Sequence, residues 1–299
     1  MGRSAHPACA RCHGLSSSAH AARNSTGARV TLQLSQSALA AFTRCPQRFY
    51  LRFVRRLQWP APLTGSEQEW ERSLHRGQEL HLFIQQAALG MDVDSLVRAA
   101  GDRQLSRWWE SVIEHPPPQP EGKVYSEIEL TVPLGDHRLV ARFDRLIVSD
   151  SGIHIVDWKT GTPQDVTRLE RSWQTTVYRF VAVEASTQLT SGEAGVRPSD
   201  IGFTYWQAEA PQAPLVLVYD EAGHEAARER ITAALARIEQ RLAAVEEAGF
   251  ERTTDLDACR HCPYRSYCER GREAAPGQEV DADFEDADTW PADAEEDLV

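Results

Sequence analysis

Residues 141–161 read ARFDRLIVSDSGIHIVDWKTG, and the fold is decided here. Apolar residues recur with a period of two through 137–148 and again through 153–158, and the turn-forming triplet Asp150-Ser151-Gly152 separates the runs. That pattern predicts two adjacent antiparallel strands joined by a tight turn. Asp144 falls inside the first strand, and Asp157 and Lys159 close the second. Side chains alternate along a strand, so Asp157 and Lys159 project to one side, where the neighbouring strand can bring Asp144 close. Two carboxylates and water are hard oxygen ligands suited to Mg²⁺ or Mn²⁺, and a nearby lysine can orient or deprotonate a water molecule that such an ion activates.

Upstream of this pair, residues 124–132 alternate as well, with Ile128, Leu130 and Val132 on one side and Glu127, Glu129 and Thr131 on the other. A three-stranded meander results, and one of the two glutamates can face the acidic pair; the alternation alone leaves open which. Downstream, 166–184 has helical patterning, 201–206 and 215–218 read as strands, and 221–249 is a long amphipathic helix. Before the meander the chain is helical, ending at the proline run 116–118. Ser35 is placed to cap a helix over 36–56, with Pro46 dividing it into a short helix, a turn at 44–46 and a longer helix. A mixed α/β fold with a helical insertion near the front follows.

The formal net charge of −12 argues at first sight against a polyanionic partner, since phosphate binding rests on Lys and Arg. The imbalance is concentrated at the C-terminus, however. Ten acids and no Lys or Arg lie beyond residue 278, and −12 becomes −2 without them. Five arginines, Arg44, Arg48, Arg52, Arg55 and Arg56, stand close together with no acid among them, and at helical spacing most would share a basic stripe. Residues 1–28 and 274–299 are expected to be a disordered extension and a disordered acidic tail, with one domain over 29–273. No apolar run approaches the roughly 18 residues of a membrane span, and none resembles a signal-peptide core, so a cytoplasmic protein is expected.

The two motifs in the quoted stretch resemble those of the PD-(D/E)XK nuclease superfamily, and most closely its RecB-type branch. Ala141 stands where that branch usually has Gly before the Asp144 motif, and Trp158 where its Asp-Tyr-Lys-Thr-Gly motif has tyrosine. The resemblance implies a restriction-endonuclease-like core, a mixed sheet flanked by helices, with Asp144, Asp157 and Lys159 as catalytic residues. It implies a metal site of His81, Asp144, Asp157 and the carbonyl of Trp158, with His81 preferred over His75 because of the Gly77 spacing. Gln174 and Tyr178, matching the branch's Gln-x-x-x-Tyr motif, are implied to contact DNA near the scissile phosphate.

Of six cysteines, Cys259, Cys262 and Cys268 form a Cys-x2-Cys-x5-Cys cluster and Cys45 stands far upstream. Disulfides are rare in a reducing compartment, so thiolate ligation of a metal is the better reading, with zinc and an iron–sulfur cluster both open on spacing alone. One distant cysteine, a nuclease core and a closing triplet resemble AddB-type and CRISPR-adaptation nucleases. That likeness implies a [4Fe-4S] cluster on Cys45, Cys259, Cys262 and Cys268 as a C-terminal staple. Cys9-Ala10-Arg11-Cys12-His13 spells a c-type haem attachment pattern, read here as chance or a weak zinc clip. The expected activity is metal-dependent DNA hydrolysis, as an exonuclease on single strands or ends, in repair or CRISPR adaptation, with a helicase or other subunits as candidate partners. A non-catalytic DNA-binding iron–sulfur subunit and a redox iron–sulfur protein are the rival readings.

Overall fold

The computed structural model describes residues 31–58, 67–161, 163–190, 195–245, 249–260 and 262–271, with the side chains of 67–74 outside the description. The expected N-terminal extension, acidic tail and Cys9–His13 pattern therefore lie outside the described residues. In chain order the elements are β1 (Gln33–Leu34), α1 (Gln36–Arg44), α2 (Pro46–Phe49), a π-helical turn (Tyr50–Val54), α3 (Glu67–Ala88), α4 (Val93–Ala100), α5 (Arg103–Glu114), β2 (Lys123–Leu134), β3 (His137–Ser149), β4 (Gly152–Lys159), α6 (Val166–Arg171), α7 (Trp173–Glu184), β5 (Ile201–Gln207), β6 (Leu215–Leu217), α8 (Glu221–Ala243) and α9 (Asp257–Arg260). The six strands form one mixed sheet with the order β1-β3-β4-β5-β6, and β2 also pairs with β3. β2, β3 and β4 are the expected antiparallel meander, β4 and β5 run parallel, and β6 closes antiparallel to β5.

Each face of the sheet has its own core. On one face α1, α7 and α8 contribute Leu39, Phe42, Val177, Val181, Ile231 and Ile238 against Phe143, Ile155 and Phe203. On the other, α3, α4 and α5 contribute Leu80, Ile84, Val97, Leu105 and Trp108 against Ile147, Val156, Trp158 and Trp206. Polar anchors set the helices that border the site. Ser172 ends α6 and caps α7 by accepting from the Thr175 amide at 3.1 Å, which breaks the single helix expected over 166–184. Asp102 caps α5 and also accepts from Arg76 Nε of α3 at 2.6 Å, tying the two helices together.

Pro46 divides the front helix as expected. Cys45 is extended (φ −160°, ψ 107°), the conformation that a following proline imposes, and Pro46 is the first residue of α2. The basic stripe expected over this region is not continuous. Arg44 is the last residue of α1, Arg48 is 93% buried, and the helix widens to a π-turn before Arg55. Among the described residues no helix is long and apolar enough to cross a membrane.

Candidate metal centre and cysteine cavity

β3 is the longest strand, and one of its edges is shared by two short partners: β1 beside Arg138 and Leu139, and β4 from Arg145 onward. Asp144 sits at the fork where β3 and β4 part. Its Oδ2 accepts the Trp158 amide at 2.9 Å, so a carboxylate takes the place of a strand partner for that N–H. Across β3, the pairing of Ser126 with Arg145 and of Ile128 with Phe143 puts Glu127 opposite Asp144. On β2, Tyr125 and Ile128 both pack toward the α7 face, as do Phe143 and Leu146 on β3. Three residues apart on one face breaks strict alternation, and the residue out of step on β2 is Glu127, whose φ is +53°. Such a left-handed non-glycine residue inside a strand stores backbone strain, a feature that concentrates at functional sites.

The result is a tight group. One ligand atom from each of His81, Glu127 and Asp144 lies within 4.8 Å of the others. His81, supplied by α3, places Nδ1 3.4 Å from Asp144 Oδ1 and Nε2 3.0 Å from the Trp158 carbonyl. Since a carbonyl only accepts, Nε2 carries a proton and Nδ1 faces the carboxylates. Burial pulls the imidazole pKa down, but Asp144, with Asp157 and Glu127 behind it, outweighs burial and raises it to about 9. Burial opposes ionisation of Asp144 as well, yet His81 and the Trp158 amide hold its pKa below the ordinary carboxylate value. Arg142 braces the far side of Glu127, with Nη2 3.0 Å and Nε 3.1 Å from Oε2.

Asp157 and Lys159 form the adjoining half of the site. Burial lifts the Asp157 carboxyl to about 7 against the pull of the Lys159 ammonium, 3.0 Å away. Gln174 of α7 holds the pair: Nε2 donates to Asp157 Oδ1 at 2.8 Å, and Oε1 accepts from Lys159 Nζ at 2.7 Å. Only this orientation of the amide satisfies both neighbours. The Tyr205 ring lies 5.5 Å from Lys159 Nζ, and its hydroxyl is 2.8 Å from Thr175 Oγ1. Arg145 lies over the Trp158 ring at 4.8 Å and donates to Gln119 at 3.1 Å.

The outcome for the expected site is mixed. His81, Asp144, Asp157 and Lys159 converge, and His75 is exposed. The grouped donor atoms, however, belong to His81, Asp144 and Glu127, while Asp157 is engaged by Lys159 and Gln174, and the Trp158 carbonyl accepts from His81. Gln174 and Tyr178, expected to contact DNA, are 97% and fully buried. Gln174 turns into the acid–lysine pair, and Tyr178 packs its ring 4.8 Å from Phe143 in the core. Their i, i+4 spacing does give a shared helix face, but it is the inward one. Glu127, left undecided against Glu129, is distinguished by register. With a turn at Gly135-Asp136 and Leu134 paired to His137, the residue opposite Asp144 is 127.

The four cysteines meet at a second place. Cys45, at the junction of α1 and α2, lines one cavity with Cys259, Cys262 and Cys268. The returning C-terminal segment is bonded to that junction, through Gln47 N to Glu251 O at 2.8 Å and Thr253 N to Cys45 Sγ at 3.4 Å. Tyr264 donates to the Leu57 carbonyl at 2.9 Å, and Leu51 packs with Cys262 and Tyr264. Arginines complete the wall. Arg252 Nη1 donates to Cys268 O at 2.9 Å, and Arg270 Nη1 reaches Thr253 O at 2.6 Å and Cys259 Sγ at 3.3 Å. Burial raises the Cys262 thiol to about 11 against the influence of Arg48, and raises that of Cys268 too.

A sequence model described as the PD-(D/E)XK nuclease superfamily matches residues 33–269. No curated protein matches the chain. Among solved structures, one from Eubacterium rectale named "putative exonuclease" shares 12% identity over 77% of this chain and 87% of its own, with a TM-score of 0.49. Another, SSO0001, shares 13% over 81% of this chain and 87% of its own, with a TM-score of 0.36.

Proposed function

The chain belongs to the PD-(D/E)XK nuclease superfamily, and from that membership we propose that it hydrolyses phosphodiester bonds in DNA with a divalent metal ion, Mg²⁺ or Mn²⁺, at the fork between β3 and β4. The observation that carries this reading is the gathering of His81, Glu127 and Asp144 within 4.8 Å beside an acid–lysine pair. One imidazole and two carboxylates suit a hard divalent ion that accepts nitrogen as well as oxygen, and the strained Glu127 backbone is what aims the third donor. When bound, such an ion stabilises negative charge on the phosphoryl group and acidifies water.

The chain's own residues do the rest. Lys159, held by Gln174 and Asp157, keeps an ammonium group beside the acids, where it orients a water molecule and offsets charge on the scissile phosphate. Asp144 fixes the end of β4 through the Trp158 amide, and the Trp158 carbonyl fixes the His81 tautomer. In this reading His81 and Asp144 serve as metal ligands as first expected, Glu127 takes the place in that set first given to Asp157, and Asp157 acts by holding Lys159 and Gln174. Gln174 acts by positioning, not by touching DNA. Action on single strands or ends, and work beside a helicase in repair or CRISPR adaptation, extend the same reading by resemblance.

The cysteine cavity is proposed to hold a [4Fe-4S] cluster that staples the C-terminal segment to α1 and α2. Four thiolates suit zinc as well, and it is the likeness to AddB-type and CRISPR-adaptation nucleases that favours the iron–sulfur core. With the ends so joined, a domain over 29–273 is the natural unit.

Cleavage of end-labelled single- and double-stranded DNA by anaerobically purified protein with Mg²⁺ or Mn²⁺ tests the activity. Metal-dependent cleavage, lost in Lys159→Ala, is the expected result. DNA binding without cleavage under every metal condition would move the protein to the non-catalytic reading.

A further inference from the structure

Among the described residues, five arginines line the cysteine cavity, Arg44, Arg48, Arg252, Arg265 and Arg270, and no acid does. Four uncharged thiols would give a protein no electrostatic reason to gather guanidinium groups around them. Cationic walls suit an occupant that is itself anionic. Most of the arginine donors already have work in the wall: Arg252, Arg265 and Arg270 are bonded to the carbonyls of Cys268, Arg270 and Thr253. Arg48 differs from them. It is 93% buried, faces the cavity, and its Nε is a buried donor with no hydrogen-bond partner. Leaving a buried charged donor unpaired is costly, so the position calls for an acceptor.

We propose that Arg48 is the charge partner of the metal–thiolate group in this cavity, donating from its buried guanidinium to the sulfurs of an anionic cluster. This rests on the iron–sulfur reading above and deepens it: four thiolates on a [4Fe-4S] core leave a net negative group, which gains one more negative charge when it takes up an electron from an external reductant. A buried cation beside it stabilises both states, and the reduced state more. Arg48 also lies two residues after Pro46, so the turn that presents Cys45 delivers the cation as well. The sequence feature first read as part of a phosphate-tracking stripe thus serves the cluster.

Arg48→Met keeps the bulk and removes the charge, and Arg48→Lys keeps the charge. Both are to be compared with the wild-type full chain, purified without oxygen, for iron and acid-labile sulfide content, iron release to a chelator, and reduction potential by dye-mediated titration, with circular dichroism as the check on folding. The proposal expects Arg48→Met to release iron several-fold faster and to be harder to reduce. A tenfold weaker hold on the reduced relative to the oxidised cluster is 59 mV for a one-electron couple. Arg48→Lys should stay near the wild type. Wild-type behaviour of Arg48→Met in both chelator rate and potential would overturn the assignment, and so would equal failure of the two variants, which marks a packing role. Zinc without labile sulfide in the wild-type protein would instead overturn the iron–sulfur reading itself, and this proposal with it.

Discussion

The fork between β3 and β4 and the cysteine cavity both bury polar side chains, and they satisfy them in opposite ways. At the fork the groups answer one another: Gln174 bridges Asp157 and Lys159, Asp144 takes the Trp158 amide, and His81 spans Asp144 and a carbonyl. In the cavity, burial raises the Cys262 thiol, and the buried Arg48 Nε has no hydrogen-bond partner. There a bound metal–thiolate group would supply the acceptor that Arg48 needs. The difference predicts that the fork governs rate and the cavity governs stability.

The sharpest way to break this comparison is to remove one group from each. Asp144→Asn should lower DNA cleavage by about a thousandfold or more, while the midpoint of thermal unfolding, read near pH 9.5 where the His81–Asp144 pair no longer contributes, moves little, because asparagine still accepts the Trp158 amide. Cys262→Ala should reverse the pattern, with the midpoint falling and residues 249–271 becoming protease-sensitive, since metal binding there is folding energy. If the two variants lose stability equally, the distinction fails.

Acidity tests the fork alone. An ion must displace the His81 proton, so Mn²⁺ affinity should rise as pH increases toward about 9, roughly tenfold per unit for one proton released. The metal-free fold should respond with the opposite sign. A histidine whose pKa is raised on folding contributes stability fully below its unfolded value of 6.5, and that stability is lost as pH rises through about 9. Thermal unfolding in chelator and Mn²⁺ titrations across pH 6.5–9.5 should therefore slope against each other. Parallel slopes would mean that His81 is not the group being displaced.

Gln174→Ala should cost about 10- to 100-fold in activity, the usual effect of removing a group that orients a metal or catalytic residue, with no change in DNA affinity in the absence of metal. Reduced affinity would restore the DNA-contact role first expected of it. Smallest is Ser172→Ala, which uncaps α7 beneath Gln174; about 1 kcal/mol of stability should be lost in chemical denaturation.

The same contrast explains how much was legible in the sequence. Strands that alternate strictly, the Asp-x-Lys ending of β4 and the helix break at Cys45-Pro46 all rest on local rules, and they were found where the rules put them. β1 is two residues long, too short for any period. The inward turn of Gln174 and Tyr178 depends on which side of α7 meets the sheet, a tertiary fact that i, i+4 spacing does not contain. Glu127 was within reach, because the two-residue turn Gly135-Asp136 fixes the register that places it across from Asp144. What defeated simple alternation there was the left-handed residue itself. The arginine stripe failed for a related reason: a π-turn and a buried Arg48 replaced the regular helix that the spacing assumed.

The most direct test is the Mn²⁺ dependence of DNA cleavage in Glu127→Gln beside Glu129→Gln. With the ion held by His81, Glu127 and Asp144, wild-type protein and Glu129→Gln should cleave at the same Mn²⁺ concentrations, and Glu127→Gln should need about 10- to 100-fold more. Cleavage that proceeds without a divalent ion, or with one Mn²⁺ dependence for all three proteins, would contradict the account.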